Sequence, residues 1–443
     1  MRARRGSPDH SSPLSPTEAA ATPPAWLPAQ AAQPSREIHP IRTYAEERVI
    51  KVRRDSNAAD PGCAPNLTAA LRRTTGHGRS DGEAAPVVPA RRVPRSGAAY
   101  ARPGAGAPAV RHYPLAMPTH EREITAPVDL CLPDGRLNPD AVGWSRRPLH
   151  RANLRGWGRT KRWEYWGIVT PGHIVGLVAS SLDYAGVHGV YVLDRATSAE
   201  ITKDVVVPLA RGAVLPDRSG AGRASVRGPG LRIDIDQRPE GTSLRAAVPG
   251  VRLDVEVPLP EGHESLGVVV PWSARRFQYT VKDVGRPVRG TLTVGGTRHV
   301  LDEATSFAVL DHGRGRWPYS ITWNWAAGSA PGRAIQLGGK WTDGTRSTEN
   351  ALFVDGRMHK IGDELAWVYD RRDWMRPWRM TGPGVEVVFH PFHEKISRTE
   401  LGVVGSETHQ CFGHFSGRAR TDEGEWVDLD GLVGWAEEAR QRW

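Results

Sequence analysis

The feature that most restricts this chain is a texture that begins at Met117 and runs to Trp443. Short runs rich in Val, Ile, Tyr, Trp and Thr recur, separated by Gly, Pro and Asp-Gly pairs. No helical pattern longer than about three turns interrupts them. Residues 163–170 (WEYWGIVT), 173–181 (HIVGLVASS) and 187–193 (VHGVYVL) read as strands, with Pro171-Gly172 as a hairpin turn. Residues 231–236, 243–248 and 251–257 alternate apolar and polar side chains, the pattern of strands with one wet face. Further candidates lie at 277–282, 290–294, 299–301, 320–326, 334–341, 349–354, 365–369, 385–390 and 409–419, and Asp355-Gly356 marks a tight hairpin. Residues 432–442 read as a short terminal helix. Strands spaced by roughly 8–12 residues without helices between them predict an all-β protein. The stretch is long for one barrel or sandwich. Two are expected, over 119–272 and 273–443, dividing near Pro271-Trp272-Ser273.

The residues before Met117 have another composition. Residues 1–116 hold 17 Lys/Arg against 9 Asp/Glu, 16 of the 36 prolines, and 4 of the 32 aromatics. Such a segment cannot bury enough apolar surface to offset chain entropy, so 1–118 reads as a disordered tail. Arg outnumbers Lys 52 to 7, as GC-rich coding DNA produces. The favoured reading is a start codon placed too early, with Met117 as the natural beginning. A passive linker and a basic binding arm are the alternatives. The remaining residues hold 42 basic and 40 acidic groups, so no nucleic-acid partner is expected. No apolar run reaches the roughly 18 residues of a membrane span. The N-terminus lacks the apolar core of a secretory leader, leaving the cytoplasm as default. Cys63, Cys131 and Cys411 form no CxxC pair.

Chemistry concentrates at residues 310–319, LDHGRGRWPY. Asp311 and His312 are adjacent, and a strand sends neighbours to opposite faces. Gly313 and Gly315 suggest a bend that turns the acid inward. Walled by Trp317, Tyr319 and Trp323, a desolvated Asp311 becomes a proton donor. The plainer reading has Asp311 accepting backbone hydrogen bonds with His312 packed beneath it. Trp323 and Trp325 share one strand face, either as core or as the wall of a cavity for a flat or long apolar ligand. His390, His393, Glu394, His409, Cys411 and His414 fit no metal template, so neither metal nor cofactor is expected. His409 and Gln410 are candidates for holding Asp311. Phosphate-binding glycine loops and a GxSxG elbow are absent from the sequence.

Four segments carry a resemblance: REITAPVDLCLPDGRLNP near Arg122, GWSRRPLHRANLRGWGRTKRWEYW from Gly143, VLDHGRGRWPYSITWNWA from Val309, and HQCFGHFSG from His409. On these the chain resembles a bacterial family catalogued as a domain of unknown function (number 2804). That family is similar to the calycin-like group holding carotenoid hydratases of the hydroxyneurosporene synthase type. The resemblance implies two lipocalin-like barrels side by side, and an Asp in a DHxxG-like motif that protonates an alkene. Here the motif is Asp311-His312-Gly313-Arg314-Gly315. Arg314 departs from the hydratase pattern, and with Arg316 it suits a ligand bearing a carboxylate or phosphate.

Two functions follow. One is a cofactor-free hydratase or isomerase of a lipid or terpenoid. Asp311 is then the general acid, and His312 and His409 are its polar partners. Arg314, Arg316, Trp317, Tyr319, Trp323 and Trp325 hold the ligand. The other is a carrier of a lipophilic acid without chemistry. In both the partner is a lipophilic small molecule, with no integral membrane segment; oligomeric state is left open.

Overall fold

The computed structural model describes residues 119–443 except Val403. The expectation of a disordered tail over 1–118 falls outside the described residues. The described chain is all-β, and its one helical element is the 3-10 turn Pro139–Ala141. No helix among the described residues is long and apolar enough to cross a membrane.

Three antiparallel sheets stack on one another. The first has six strands, in the order Thr297–Leu301, Arg289–Val294, Val251–Pro258, Gly241–Val248, Leu231–Arg238 and Gly222–Gly228. The second has eight, in the order Trp144–Ser145, Leu266–Ser273, Arg276–Pro287, Phe307–Arg316, Thr160–Val169, His173–Ser181, Ala185–Asp194 and Glu200–Pro208. The third has ten and curls on itself. Its middle runs Arg333–Gly339, Ser320–Ala330, Val433–Arg442, Val404–Arg420 and Val385–Leu401. Local chemistry explains the hairpins. Asp355 and Gly356 both have positive φ, 49° and 82°, which the tight turn between Asn350–Val354 and Arg357–Ile361 requires.

Each pair of faces encloses its own core. Trp166, Ile233 and Leu310 belong to the core between the six- and eight-stranded sheets. Trp325, Phe412 and Trp435 pack with Val309 and Tyr191 between the eight- and ten-stranded sheets. Trp378, Phe389 and Phe415 fill the curl of the third sheet.

The expected division near Pro271-Trp272-Ser273 falls within a paired segment. Leu266–Ser273 and Arg276–Pro287 are the two arms of one hairpin, with a bulge between Pro271 and Ser273. The three-residue breaker is that bulge. Residues 432–442 are not helical. Val433–Arg442 is a central strand between Ser320–Ala330 and Val404–Arg420. Its Ala- and Glu-rich sequence has helical propensity, but burial on both faces overrides it: Trp435 and Ala436 are both fully buried.

Candidate functional site

Strand Phe307–Arg316 lies between Arg276–Pro287 and Thr160–Val169, and its pairing is regular from Val309 to Arg316. Alternation therefore sends Val309 and Asp311 toward the ten-stranded sheet, and Leu310 and His312 toward the six-stranded one. Gly313 and Gly315 make no bend. Gly313 supplies room: a Cβ there would lie 2.0 Å from Cε2 of Trp163. The indole lies flat over Gly313, and its Nε1 donates to Asp311 Oδ2 at 3.0 Å.

Asp311 is 9% exposed and is held on both oxygens. Thr280 Oγ1 donates to Oδ1 at 3.0 Å, and Lys282 Nζ stands 3.1 Å from the same oxygen. Lys282 and Asp311 are directly opposite in register. The Lys282 ammonium also lies 3.5 Å from Glu349 Oε2 and 4.1 Å above the Trp325 ring. Burial alone would lower the pKa of Lys282, but Asp311 and Glu349 hold it above the ordinary lysine value.

Two glutamates face this pair from the ten-stranded sheet. Glu349 is 2% exposed, packs across Gly338, and accepts from Trp341 Nε1 at 2.9 Å. Burial pushes its pKa up to about 7; Lys282 opposes the rise and Asp311 adds to it. Glu437 is 6% exposed and accepts from Trp323 Nε1 at 3.0 Å and Gln410 Nε2 at 2.9 Å. Burial raises it to about 7 as well, against the Trp323 hydrogen bond and the pull of Lys282 and Lys395. Three carboxylates and one ion-paired lysine thus share a buried space, and each carboxylate is gripped by a different indole.

Register extends this cluster into two facing rows. On the eight-stranded sheet the row is Lys282, Asp311, Tyr165, Val178, Gly189 and Asp204, each opposite the next. On the ten-stranded sheet it is Gly338, Trp325, Glu437, Gln410 and Lys395. Tyr165 meets Trp325 edge-on at 5.3 Å. The second row depends on a bulge at Pro391/His393, which turns Lys395 to the same face as Gln410. Tyr165, Val178 and Lys395 all keep accessible surface although they lie between sheets, and Asp204 is exposed. The rows therefore face each other between the sheets, with their Asp204 end exposed.

The residues expected from sequence separate. Asp311, Trp323 and Trp325 reach the cluster. Trp317 borders it, stacked on Trp341 at 5.7 Å and donating to Gln278 Oε1 at 2.7 Å. His312 and Arg314 do not, because they occupy the opposite face. His312 Nδ1 lies 2.8 Å from Glu164 Oε1, and Arg314 Nη2 lies 2.7 Å from the same oxygen. Arg314 also donates to the carbonyls of Pro216, Trp163 and Gly313, and all three side chains have no exposure. Burial lowers the pKa of His312, and so does the Arg314 charge. Burial would raise Glu164, yet His312 and Arg314 hold it below the usual carboxylate range. Arg316 donates to the Arg155 carbonyl, and Tyr319 is exposed with the Arg159 guanidinium over its ring. His409 faces away from Gln410, bonded to Glu394 at 2.7 Å and stacked on Trp374 at 4.2 Å.

Lys282, Glu349, Glu437, Thr280 and Trp163 escape the sequence reading. One cue is present in QYTVKDV: Gln278, Thr280 and Lys282 put three polar groups on one face of a buried strand.

The chain belongs to a known family. Its residues 121–443 match the family described as Domain of unknown function (DUF2804). None of the curated proteins matches it in sequence. Among solved structures it is similar to one assigned as AttH from Nitrosomonas europaea, at 13% identity and a TM-score of 0.42, covering 63% of this chain and 92% of that one. It is also similar to kievitone hydratase from Nectria haematococca, at 13% identity and a TM-score of 0.38, covering 64% and 89%.

Proposed function

We propose that this protein is a cofactor-free acid–base enzyme of the hydratase or isomerase class, acting on a lipid or terpenoid held between the eight- and ten-stranded sheets. The observation that carries this reading is the pair Glu349 and Glu437. Both are buried opposite an Asp–Lys ion pair, with pKa values of about 7, beside partly exposed tryptophan. A carboxylic acid that keeps its proton near neutral pH and can lose it there is matched to general acid–base work.

The proton donor is Glu437 in place of Asp311. Both Asp311 oxygens are already taken, Oδ2 by the Trp163 indole and Oδ1 by Thr280 and Lys282. Glu437 gives its proton to one carbon of a C=C bond, and the π electrons form the new C–H bond. The cation left on the other carbon faces the rings of Trp323 and Trp325. In hydration, the oxygen of a water molecule bonds to that carbon, and one water proton returns to the carboxylate. In isomerisation, a neighbouring C–H proton leaves to a carboxylate instead, and its electrons restore the double bond. Asp311 and Lys282 remain a fixed charge pair, and burial keeps Glu437 protonated against the pull of Lys282.

The same pair is also what favours a non-catalytic carrier, since it is charge-balanced without any ligand. Solvent isotope incorporation separates the two. Both reactions place a solvent proton on carbon, so a bacterial lipid extract incubated in deuterium oxide gains a C–D bond with the wild-type protein and not with Glu437→Gln. Extraction of bound lipid without any deuterium on carbon means a carrier.

A further inference from the structure

We infer that a cavity between the six- and eight-stranded sheets is a second ligand site, which takes a compact, neutral, aliphatic molecule carrying at least two alcohol or carbonyl oxygens. It lies on the face of strand Phe307–Arg316 opposite Asp311, and it stands whatever becomes of the acid–base reading.

The cavity measures about 460 Å³, within the range of small-molecule sites. It occupies the end of the two sheets where residues 259–265 cross from strand Val251–Pro258 to strand Leu266–Ser273. Its roof is Gln237 and Thr242, opposite each other in register, and its floor is Asp283 and Leu310, likewise opposite. Gln237 closes the inner end. Its amide accepts from the Gly220 N–H and reaches Glu164, so the Glu164–His312–Arg314 cluster stays sealed.

The buried charges in the wall are already spent. Asp283 takes His263 on one oxygen and Arg286 on the other, both at 2.7 Å. Burial would raise its pKa, but Arg286 and His263 hold it down at about 2. Arg286 gives its remaining donors to the carbonyls of Pro258 and Val257. Arg146 pairs with Glu264 and Asp422, and Arg238 with Asp236 and Glu256. Arg147 and Glu261 make no ion pair with a described residue, but both are exposed at the mouth and they are opposite in sign. A charged ligand therefore finds no counter-charge inside.

What remains unspent is hydroxyl. Ser219 Oγ is buried without a partner among the described residues. Thr242 and Ser265 are each 5% exposed, and their hydroxyls have no partner among the described residues either. A hydroxyl both donates and accepts, so alcohol and carbonyl oxygens satisfy it. A buried polar group left without a hydrogen bond is costly, so a ligand that supplies one gains affinity there. The rest of the lining includes Leu259, Val281, Leu310 and three prolines, with no Trp, Tyr or Phe to stack on. The body that fits is therefore aliphatic and not a flat aromatic ring.

Calorimetric titration of the full chain with the diol terpin, with menthol and with cyclohexaneacetate at pH 7 tests it. Terpin is expected to bind about fivefold more tightly than menthol, the worth of one further hydrogen bond. The carboxylate is expected to bind at least about tenfold more weakly than menthol. Ser219→Ala weakens terpin by about fivefold, while the melting temperature of the free protein holds or rises because an orphan group is gone. Arg147→Gln leaves terpin binding unchanged. Terpin binding no tighter than menthol, or unchanged in Ser219→Ala, overturns the site as a reader of oxygens. Cyclohexaneacetate binding most tightly, and losing that affinity in Arg147→Gln, makes the cavity an anion site instead. No binding of any of the three means that the cavity holds solvent alone, and overturns the inference outright.

Discussion

Strand Phe307–Arg316 carries a buried ion cluster on each face, and the two are built on different principles. Toward the six-stranded sheet, Glu164 is locked between His312 and Arg314, and Arg314 spends its remaining donors on carbonyls. No member has any exposure, and His312 Nε2 has no partner among the described residues. That cluster is closed to ligand. Toward the ten-stranded sheet, one lysine faces three carboxylates, and two of those hold protons near neutral pH. A closed cluster specifies the fold. A cluster with surplus acid beside accessible rings has something left to do.

Breaking the closed cluster has the largest expected effect. Glu164→Gln leaves Arg314 buried without its counter-charge and costs about 3–5 kcal/mol of stability, read by denaturant unfolding. A loss under about 1 kcal/mol removes the distinction between the two faces.

The open cluster responds in the other direction. Glu349 and Glu437 have folded pKa values of about 7, raised above the ordinary glutamate value. The folded state therefore holds these protons where the unfolded chain has lost them. Their contribution is present in full below the unfolded pKa and is lost as pH rises through about 7. Glu349→Gln and Glu437→Gln should each gain on the order of 2 kcal/mol relative to wild type at pH 8. That gain should vanish at pH 4. Equal melting shifts at both pH values contradict the assignment.

A smaller effect is expected at Gly313. Gly313→Ala pushes the Trp163 indole off its seat and away from Asp311, at about 1–3 kcal/mol of overpacking. Ala at Gly172, where a Cβ meets open space, should cost less than about 1 kcal/mol. The smallest effect belongs to His409. His409→Gln keeps the open cluster intact, so deuterium incorporation stays at the wild-type level and stability shifts by about 1 kcal/mol or less.

The strands were legible because period-two alternation and Gly/Pro turns are local. Residues 173–181 reappear unchanged as His173–Ser181, and 231–236 lie within Leu231–Arg238. The opposed orientation of Asp311 and His312 was also legible, since it needs only the alternation. What lay beyond reach was which face meets which sheet. Glu437 reads as helical in AEEARQR and reaches the site through pairing with Ser320–Ala330, far back in the chain. Glu349 sits just before a strand edge and comes in over Gly338. Lys395 depends on a bulge that Pro391 hints at but does not fix. Register between distant strands is a tertiary property, and no local pattern encodes it.

Each acid of the open cluster is gripped by its own indole: Trp163 holds Asp311, Trp323 holds Glu437 and Trp341 holds Glu349. An indole N–H bonded to a carboxylate sits in a different field from one bonded to a carboxylic acid. The proton state of the cluster is thus written into tryptophan emission. Scanned across neutral pH, the protein needs no dye or label: Trp323 and Trp341 should change colour with their glutamates.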